Sequence, residues 1–271
     1  MTVTDQEQLA HELMAAYANR QELAPPSARD AGFALDDAYA VEAALARVRR
    51  ASGRRTVGRK VGFANKAMWR VLKLDTLVWA HMYDDTVQQA GSGAASLALD
   101  RMHSPKIEPE IVFKLKGQVA AGADAADTLR RVEWIALGYE IIDCVYPDWK
   151  FTPADFVASF GLHAGLIVGA PLVVTEDQIP ALVEQLATFK VVLLKDGRQV
   201  DEGTGKHSLR SPALCLGELA GAISRRAGME PLAAGELVSS GTLTTAQPIG
   251  PGETWTAAVE GLDVQGPVLE L

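Results

Sequence analysis

Between Pro105 and Phe113 the chain reads Pro-Lys-Ile-Glu-Pro-Glu-Ile-Val-Phe, a run that constrains the fold more than any other segment. Successive side chains of a strand point to opposite faces, so Glu108 and Glu110 project from one side while Ile107, Ile111 and Phe113 turn toward a core. Pro109 cannot donate a ladder hydrogen bond, which places the strand at a sheet edge or a bulge and leaves the two glutamates accessible. Carboxylates held this close repel one another, and a hard divalent cation with oxygen ligands removes the repulsion. Glu140, in Gly138-Tyr139-Glu140-Ile141-Ile142-Asp143, supplies a third carboxylate from a neighbouring strand and leaves positions open for water or substrate. An exposed strand with solvated glutamates accounts for the same spacing.

The elements around this strand read as α+β. Thr4 and Glu7 make a capping-box pattern ahead of Leu9, Leu13, Met14 and Tyr17, which predicts a helix over 5–22 halted by Pro25-Pro26. Asp36 or Asp37 caps a second helix with Val41, Ala44, Leu45 and Val48 on one stripe, ending before Gly53. Thr56 to Phe63 reads as a strand, Asn65 to Lys73 as a short helix, and Ile107 to Leu115 as the glutamate strand. Asp196-Gly197 between Lys190–Leu194 and Gln199-Val200 predicts a tight hairpin, and a helix over 212–227 closes at Gly228. Gly91 to Ser96 reads as a flexible connector. The organisation is a helical N-terminal segment over 1–75 followed by a strand-rich body over 76–271.

Composition narrows the partners. A net charge of -8 and a pI near 5.2 argue against nucleic acid, and the basic cluster from Arg47 to Arg55 is too short to reverse that balance. The longest mostly apolar stretch, Gly161 to Val174, contains His163 and falls short of the roughly 18 to 20 residues of a membrane helix. The N-terminus has no basic start and no apolar h-region, so the expected location is the cytoplasm. Cys144 and Cys215 lack metal or disulfide spacing and read as reduced, buried thiols. Gly203-Thr204-Gly205-Lys206-His207 fails as a phosphate loop, because Val200 and His207 stand where glycine and Ser/Thr are needed. The five histidines show no zinc spacing, which leaves a carboxylate site for Mg²⁺ or Mn²⁺ as the simplest metal hypothesis.

Five segments fall in the order seen in 2-keto-4-pentenoate hydratases and 4-oxalocrotonate decarboxylases: Arg59-Lys60-Val61-Gly62-Phe63, Pro105 to Phe113, Glu140-Ile141-Ile142-Asp143, Gly235 to Gly241, and Gly250-Pro251-Gly252-Glu253. From about residue 35 onward the chain resembles that branch of the fumarylacetoacetate hydrolase superfamily. The resemblance implies a mixed β-roll core with a helical N-terminal part. It also implies Mg²⁺ or Mn²⁺ held by Glu108, Glu110 and Glu140, and meta-cleavage chemistry on 2-hydroxy-dienoates in a homo-oligomer.

A 2-keto acid chelates one octahedral cation through its carboxylate and adjacent oxygen, which opens a conjugated double bond to water or lets a β-carboxyl leave as CO₂. The protein must add proton donors and acceptors. Lys60, in the K-x-G motif, is the first candidate to hold the substrate carboxylate or move a proton; Lys106 is a second binding cation. Asp84, in Tyr83-Asp84-Asp85, could orient Lys60 or act on water, although an ordinary turn pair reads the same way. Gly241 and Thr242 offer a backbone N–H and a hydroxyl for a carboxylate, although a simple turn reads the same way. Where the hydratases read something like V-A-D-N-A-S-S-G, this chain reads Val157 to Gly165 with Ser159, Phe160, Leu162 and His163. That departure predicts a bulkier or less polar substrate tail, with His163 as an acid or base or else a packed, hydrogen-bonded histidine. The aromatic run Tyr146 to Phe151 reads as a substrate lid or, equally, as a surface loop anchored by Trp149. Three readings follow: a hydratase, a decarboxylase or C–C hydrolase on the same metal site, and a non-catalytic partner subunit of a family enzyme.

Overall fold

A computed structural model describes residues 1–271. Helix α1 spans Val3–Ala18; its capping box uses Thr2 and Asp5, two residues before the expected Thr4. A single turn α2 (Pro26–Arg29) leads to α3 (Leu35–Ala51), which buries Ala38, Val41, Ala44 and Leu45. The chain continues through β1 (Thr56–Gly62), α4 (Trp69–Leu72), β2 (Val78–Tyr83), β3 (Val87–Gly91), β4 (Ala94–Ser96), β5 (Lys106–Leu115), α5 (Ala125–Leu129) and β6 (Val132–Ile142). It then forms α6 (Pro153–Ala158), β7 (His163–Gly169), β8 (Leu172–Val173), α7 (Ile179–Thr188), β9 (Lys190–Lys195), β10 (Arg198–Thr204) and α8 (Pro212–Ser224). Strands β11 (Leu237–Ser239), β12 (Gln247–Pro248), β13 (Thr254–Glu260) and β14 (Val268–Glu270) complete it.

The large sheet runs β2-β1-β11-β5-β6-β7-β3, with β12 beside β5 and β8 beside β6; a smaller sheet runs β10-β9-β13-β14-β4. Parallel pairs (β1 with β11, β3 with β7) interrupt antiparallel ones, the mixed β-roll expected of the sequence. β2 ends the large sheet, and α3 closes that edge. The Trp79 N–H donates to the Tyr39 hydroxyl at 3.1 Å and the His81 N–H to Glu42 Oε1 at 2.9 Å, so the edge offers no free template for pairing. The 1–75 segment is not purely helical: β1 is paired on both sides within the sheet, and α1 and α3 share its core.

The alternation predicted for β5 holds. On one face Ile107, with Tyr139, Ile141 and Ile167, meets Leu193, Trp255 and Leu269 of the small sheet, while Ile111 and Phe113 enter the main core. On the other face Val112, Ala136, Leu166 and Val168 join Met82 and Leu237 in a small apolar floor. Glu108, Glu110 and Glu140 share that face by the period of two.

Two expectations fail here. Pro109 lies at neither an edge nor a bulge, because β5 is flanked by β6 on one side and by β11 and β12 on the other. Those two neighbours leave a gap: β11 ends opposite Val112 and β12 starts opposite Ile107. Pro109 sits in the gap, where its carbonyl accepts from the Leu243 N–H at 3.0 Å. Its missing N–H faces the same gap and costs no ladder bond. The glutamates are therefore enclosed, Glu110 and Glu140 fully and Glu108 partly. The 91–96 stretch is likewise no loose connector, since β4 pairs with β14 and buries Ala95. The Asp196-Gly197 hairpin forms as expected, with φ of 51° and 74° joining β9 to β10. No helix is long and apolar enough to cross a membrane, and both cysteines are free and buried.

Candidate metal centre and adjoining cavity

The antiparallel register of β5 and β6 sets Glu108 directly opposite Glu140 and Glu110 opposite Gly138. One carboxylate oxygen from each of the three glutamates lies within 4.8 Å of the others. Burial pushes Glu108 up to about 7; Lys60 opposes the shift and Glu140 adds to it. Burial raises Glu110 well above the usual carboxylate range, reinforced by Glu140 and Glu108. Burial acts on Glu140 as well, but Lys60 and His163 overcome it and hold that group below its ordinary value.

Each buried glutamate is anchored by one oxygen. Glu110 Oε2 accepts from Ser239 Oγ at 2.6 Å and from the Gly241 N–H at 2.7 Å, while Oε1 is buried without a partner. Glu140 Oε1 accepts from Lys60 Nζ at 3.0 Å and His163 Nδ1 at 2.9 Å, while Oε2 is buried without a partner. Unpaired buried carboxylate oxygens are costly, and one on each of Glu110 and Glu140, in a cluster with Glu108, fits a hard cation with oxygen ligands.

Lys60 is 1% exposed, with Nζ also donating to the Gly161 carbonyl at 2.9 Å. That close approach requires glycine: Gly161 has φ of 61°, and a Cβ there would lie 2.7 Å from Lys60 Cδ. The departing 157–165 segment therefore reaches the site through its backbone. Its side chains mostly face elsewhere: Ser159 Oγ donates to the Asp155 carbonyl, and Phe160 packs edge-on to Tyr17 and Tyr83. His163 is buried, with Nδ1 on Glu140 and Nε2 on Thr86 Oγ1 at 2.9 Å, so the packed, hydrogen-bonded reading describes it and neither ring nitrogen is left for a substrate.

Asp84 is not brought to the centre. It lies beyond the far end of the β1/β2 ladder, where its carboxylate accepts from Arg55 N and Nε, both at 3.1 Å, and caps the strand ends. Lys106 shares the face of Glu108 and stacks 3.8 Å over the Trp149 ring. The Gly241 N–H serves Glu110 rather than a substrate, and the Thr242 hydroxyl donates to the Thr244 carbonyl at 2.9 Å, closing its own turn.

A cavity of about 440 Å³ opens beside Lys60 and Glu108, with Phe63, Trp149, Phe151, Phe156 and Leu162 as its apolar wall. From the run Tyr146 to Phe151, Trp149 and Phe151 line this cavity. Asp201, Glu202, His207, Gly241 and Thr242 also line it. Sequence reasoning missed Ser239, Thr86 and the lining residues Asp201, Glu202 and His207; only the serine had a local signal, its place in the Gly235 to Gly241 segment.

Gly241 has φ of 93°, and a Cβ there would meet Ala64 Cβ at 2.5 Å. Gly241→Ala should therefore displace the loop that anchors Glu110 and cost about 2 kcal/mol. Urea denaturation of the metal-free protein checks this; an unchanged midpoint would mean the loop relaxes without cost.

No family model matches the chain. Its curated relatives include a 2-hydroxyhexa-2,4-dienoate hydratase of Comamonas testosteroni, 28% identical over 92% of both chains. A 4-oxalocrotonate decarboxylase of a Pseudomonas species is 29% identical, with 88% of each chain covered. Among solved structures, a 4-oxalocrotonate decarboxylase from Pseudomonas putida G7, complexed with magnesium and adipate, superposes with a TM-score of 0.88 at 25% identity over 100% of this chain and 98% of that one. A fumarylpyruvate hydrolase from Pseudomonas aeruginosa shares the fold at a TM-score of 0.55 and 15% identity over 79% of this chain and 89% of its own. Fold and carboxylate centre together define a fumarylacetoacetate hydrolase-like α+β protein. Within that class, the chain is similar over most of its length to 2-hydroxydienoate hydratases and 4-oxalocrotonate decarboxylases.

Proposed function

We propose that this chain is a divalent-metal-dependent lyase that adds water to a 2-hydroxy-2,4-dienoate, giving a 4-hydroxy-2-keto acid, in meta-cleavage catabolism of aromatic compounds. The observation that carries the reading is the cluster of Glu108, Glu110 and Glu140 beside a cavity lined by aromatics, with one oxygen of Glu110 and one of Glu140 buried without a partner. Glu108, Glu110 and Glu140 hold Mg²⁺ or Mn²⁺, which when bound supplies a Lewis acid for the keto-acid end of the substrate. Lys60 has three N–H donors, of which Gly161 and Glu140 take two; the third is free to hold a substrate oxygen or deliver a proton. Lys106 contributes positive charge for the substrate carboxylate. Phe63, Trp149, Phe151 and Phe156 exclude water from the carbon chain. The hydratase relatives support this reaction. Two reduced, buried thiols suit the cytoplasm, and we expect a homo-oligomer.

Decarboxylation on the same centre is the second reading, favoured by the close structural match to a decarboxylase. Against it, 4-oxalocrotonate carries a second carboxylate, and Asp201 and Glu202 are among the residues lining the cavity. Retention of the triad and Lys60 speaks against a non-catalytic partner subunit. Incubation with Mg²⁺ and either 2-hydroxypenta-2,4-dienoate or 4-oxalocrotonate, following dienol absorbance and CO₂ release, separates the two. Loss of dienol absorbance without CO₂ is the expected result; turnover of neither substrate would remove both reactions.

A further inference from the structure

The terminal torsion of a glutamate is soft, so the donors on one oxygen decide which way the other is offered. At Glu140 those donors are Lys60 and His163, and both meet Oε1. His163 opens β7 at an irregularity in the ladder: Ile142 pairs with His163 and Ile141 with Gly165, so one extra residue re-aims the imidazole toward β6. Opposite a carboxylate, Nδ1 is the donor. The far side of the ring is held as well, with Nε2 2.9 Å from Thr86 Oγ1.

Thr86 is a fixed support. It lies in the turn between β2 and β3, where its N–H donates to the Tyr83 carbonyl at 3.0 Å and its Oγ1 accepts from the Tyr83 N–H at 3.3 Å, which leaves the hydroxyl proton for Nε2. Its own carbonyl accepts from the Leu166 N–H at 2.8 Å, tying the turn to β7. A backbone-clamped hydroxyl thus holds a buried imidazole, which holds one oxygen of Glu140 and leaves the other without a partner in the carboxylate cluster. A histidine at this position departs from the hydratase pattern described above.

We propose that Thr86 and His163 are positioning residues that lock Glu140 with Oε2 toward Glu108 and Glu110 and thereby set the affinity for a divalent cation. Neither touches the substrate. The inference rests on the metal-site reading above, and its test separates the two. Titration calorimetry of the full chain with Mn²⁺ alone gives the readout. Thr86→Val, which keeps the shape and removes the hydroxyl, should weaken Mn²⁺ binding about tenfold, the size seen when an outer partner of a metal ligand is lost, and Thr86→Ser should restore it. His163→Phe should weaken binding about 10- to 100-fold. Because Thr86 acts through the ring, adding Thr86→Val to His163→Phe should cost nothing more. A merely structural role would instead lower the melting temperature of each variant and leave the Mn²⁺ affinity alone. Unchanged affinity in Thr86→Val, or losses that add in the double variant, overturns the proposal. If His163→Phe does not fold, the Thr86→Val and Thr86→Ser pair decides alone. A wild-type chain that takes up no Mn²⁺ rejects the metal site itself.

Discussion

Glu108→Gln should lower Mg²⁺-dependent turnover at least about 10²-fold, more than the loss of an outer partner would, and leave the fold intact. Glu108 is the one member of the triad that lines the cavity, whereas Glu110 and Glu140 are anchored behind it by Ser239, Gly241, Lys60 and His163. Glutamine keeps the volume and removes the charge, so those anchors persist while a hard cation loses an anionic ligand. The substitution also removes a carboxyl that burial pushes up to about 7, which relieves rather than strains the metal-free protein. Two measurements check this together. In the wild type, Mg²⁺ at a hundred times its dissociation constant stabilises the folded state by about 2.7 kcal/mol, raising the melting temperature several degrees. In Glu108→Gln that rise should disappear, while the metal-free melting temperature at neutral pH stays level or increases. A variant that retains both the Mg²⁺-dependent rise and near wild-type turnover would remove Glu108 from the centre.

How much of this was legible in the chain depends on the range of the interaction. The Pro105 to Phe113 run fixed the faces of β5 because a period of two is a local property, and the opposition of Glu108 and Glu140 followed once two strands were expected to pair. The Asp196-Gly197 hairpin was equally local. Pro109 misled because the gap beside it is made by β11 and β12, more than a hundred residues away, and a proline's own sequence context carries no sign of a neighbour's ending. Asp84 misled for the opposite reason: an acidic turn residue beside an arginine is satisfied locally, and Arg55 takes its carboxylate before any distant site can. His163 stood out as a departure, but its role depended on Thr86, whose hydroxyl looks like any turn threonine. The cavity-lining residues Asp201, Glu202 and His207 come from β10 and the turn after it, a segment whose only visible signal was a failed phosphate loop.

Metal-free protein should lose stability as the pH rises from about 4.5 to about 7, and divalent cation should abolish that loss. The sign follows from the two states. Glu108 has an ordinary value of 4.5 and is pushed up to about 7 in the folded protein by burial, with Lys60 opposing and Glu140 reinforcing. Below the unfolded value both states hold the proton, and the folded state keeps its full stability. Through the window the unfolded chain releases its proton while the folded chain resists, so stability falls by on the order of 2 kcal/mol and levels off once the folded group has ionised. Glu110, raised further by burial and by both other carboxylates, extends the fall to higher pH. Glu140 acts in the other sense: held below its ordinary value by Lys60 and His163, it loses its stabilising contribution only in acid below this window. A bound cation demands ionised ligands, so its binding releases these protons and its stabilising effect grows with pH. Urea denaturation in chelator at pH 5, 6, 7 and 8 should show a descending midpoint, and excess Mg²⁺ should raise the pH 8 midpoint far more than the pH 5 one. Glu108→Gln should flatten the metal-free slope. A metal-free midpoint that rises across the same range would mean that the three carboxylates do not share a desolvated site.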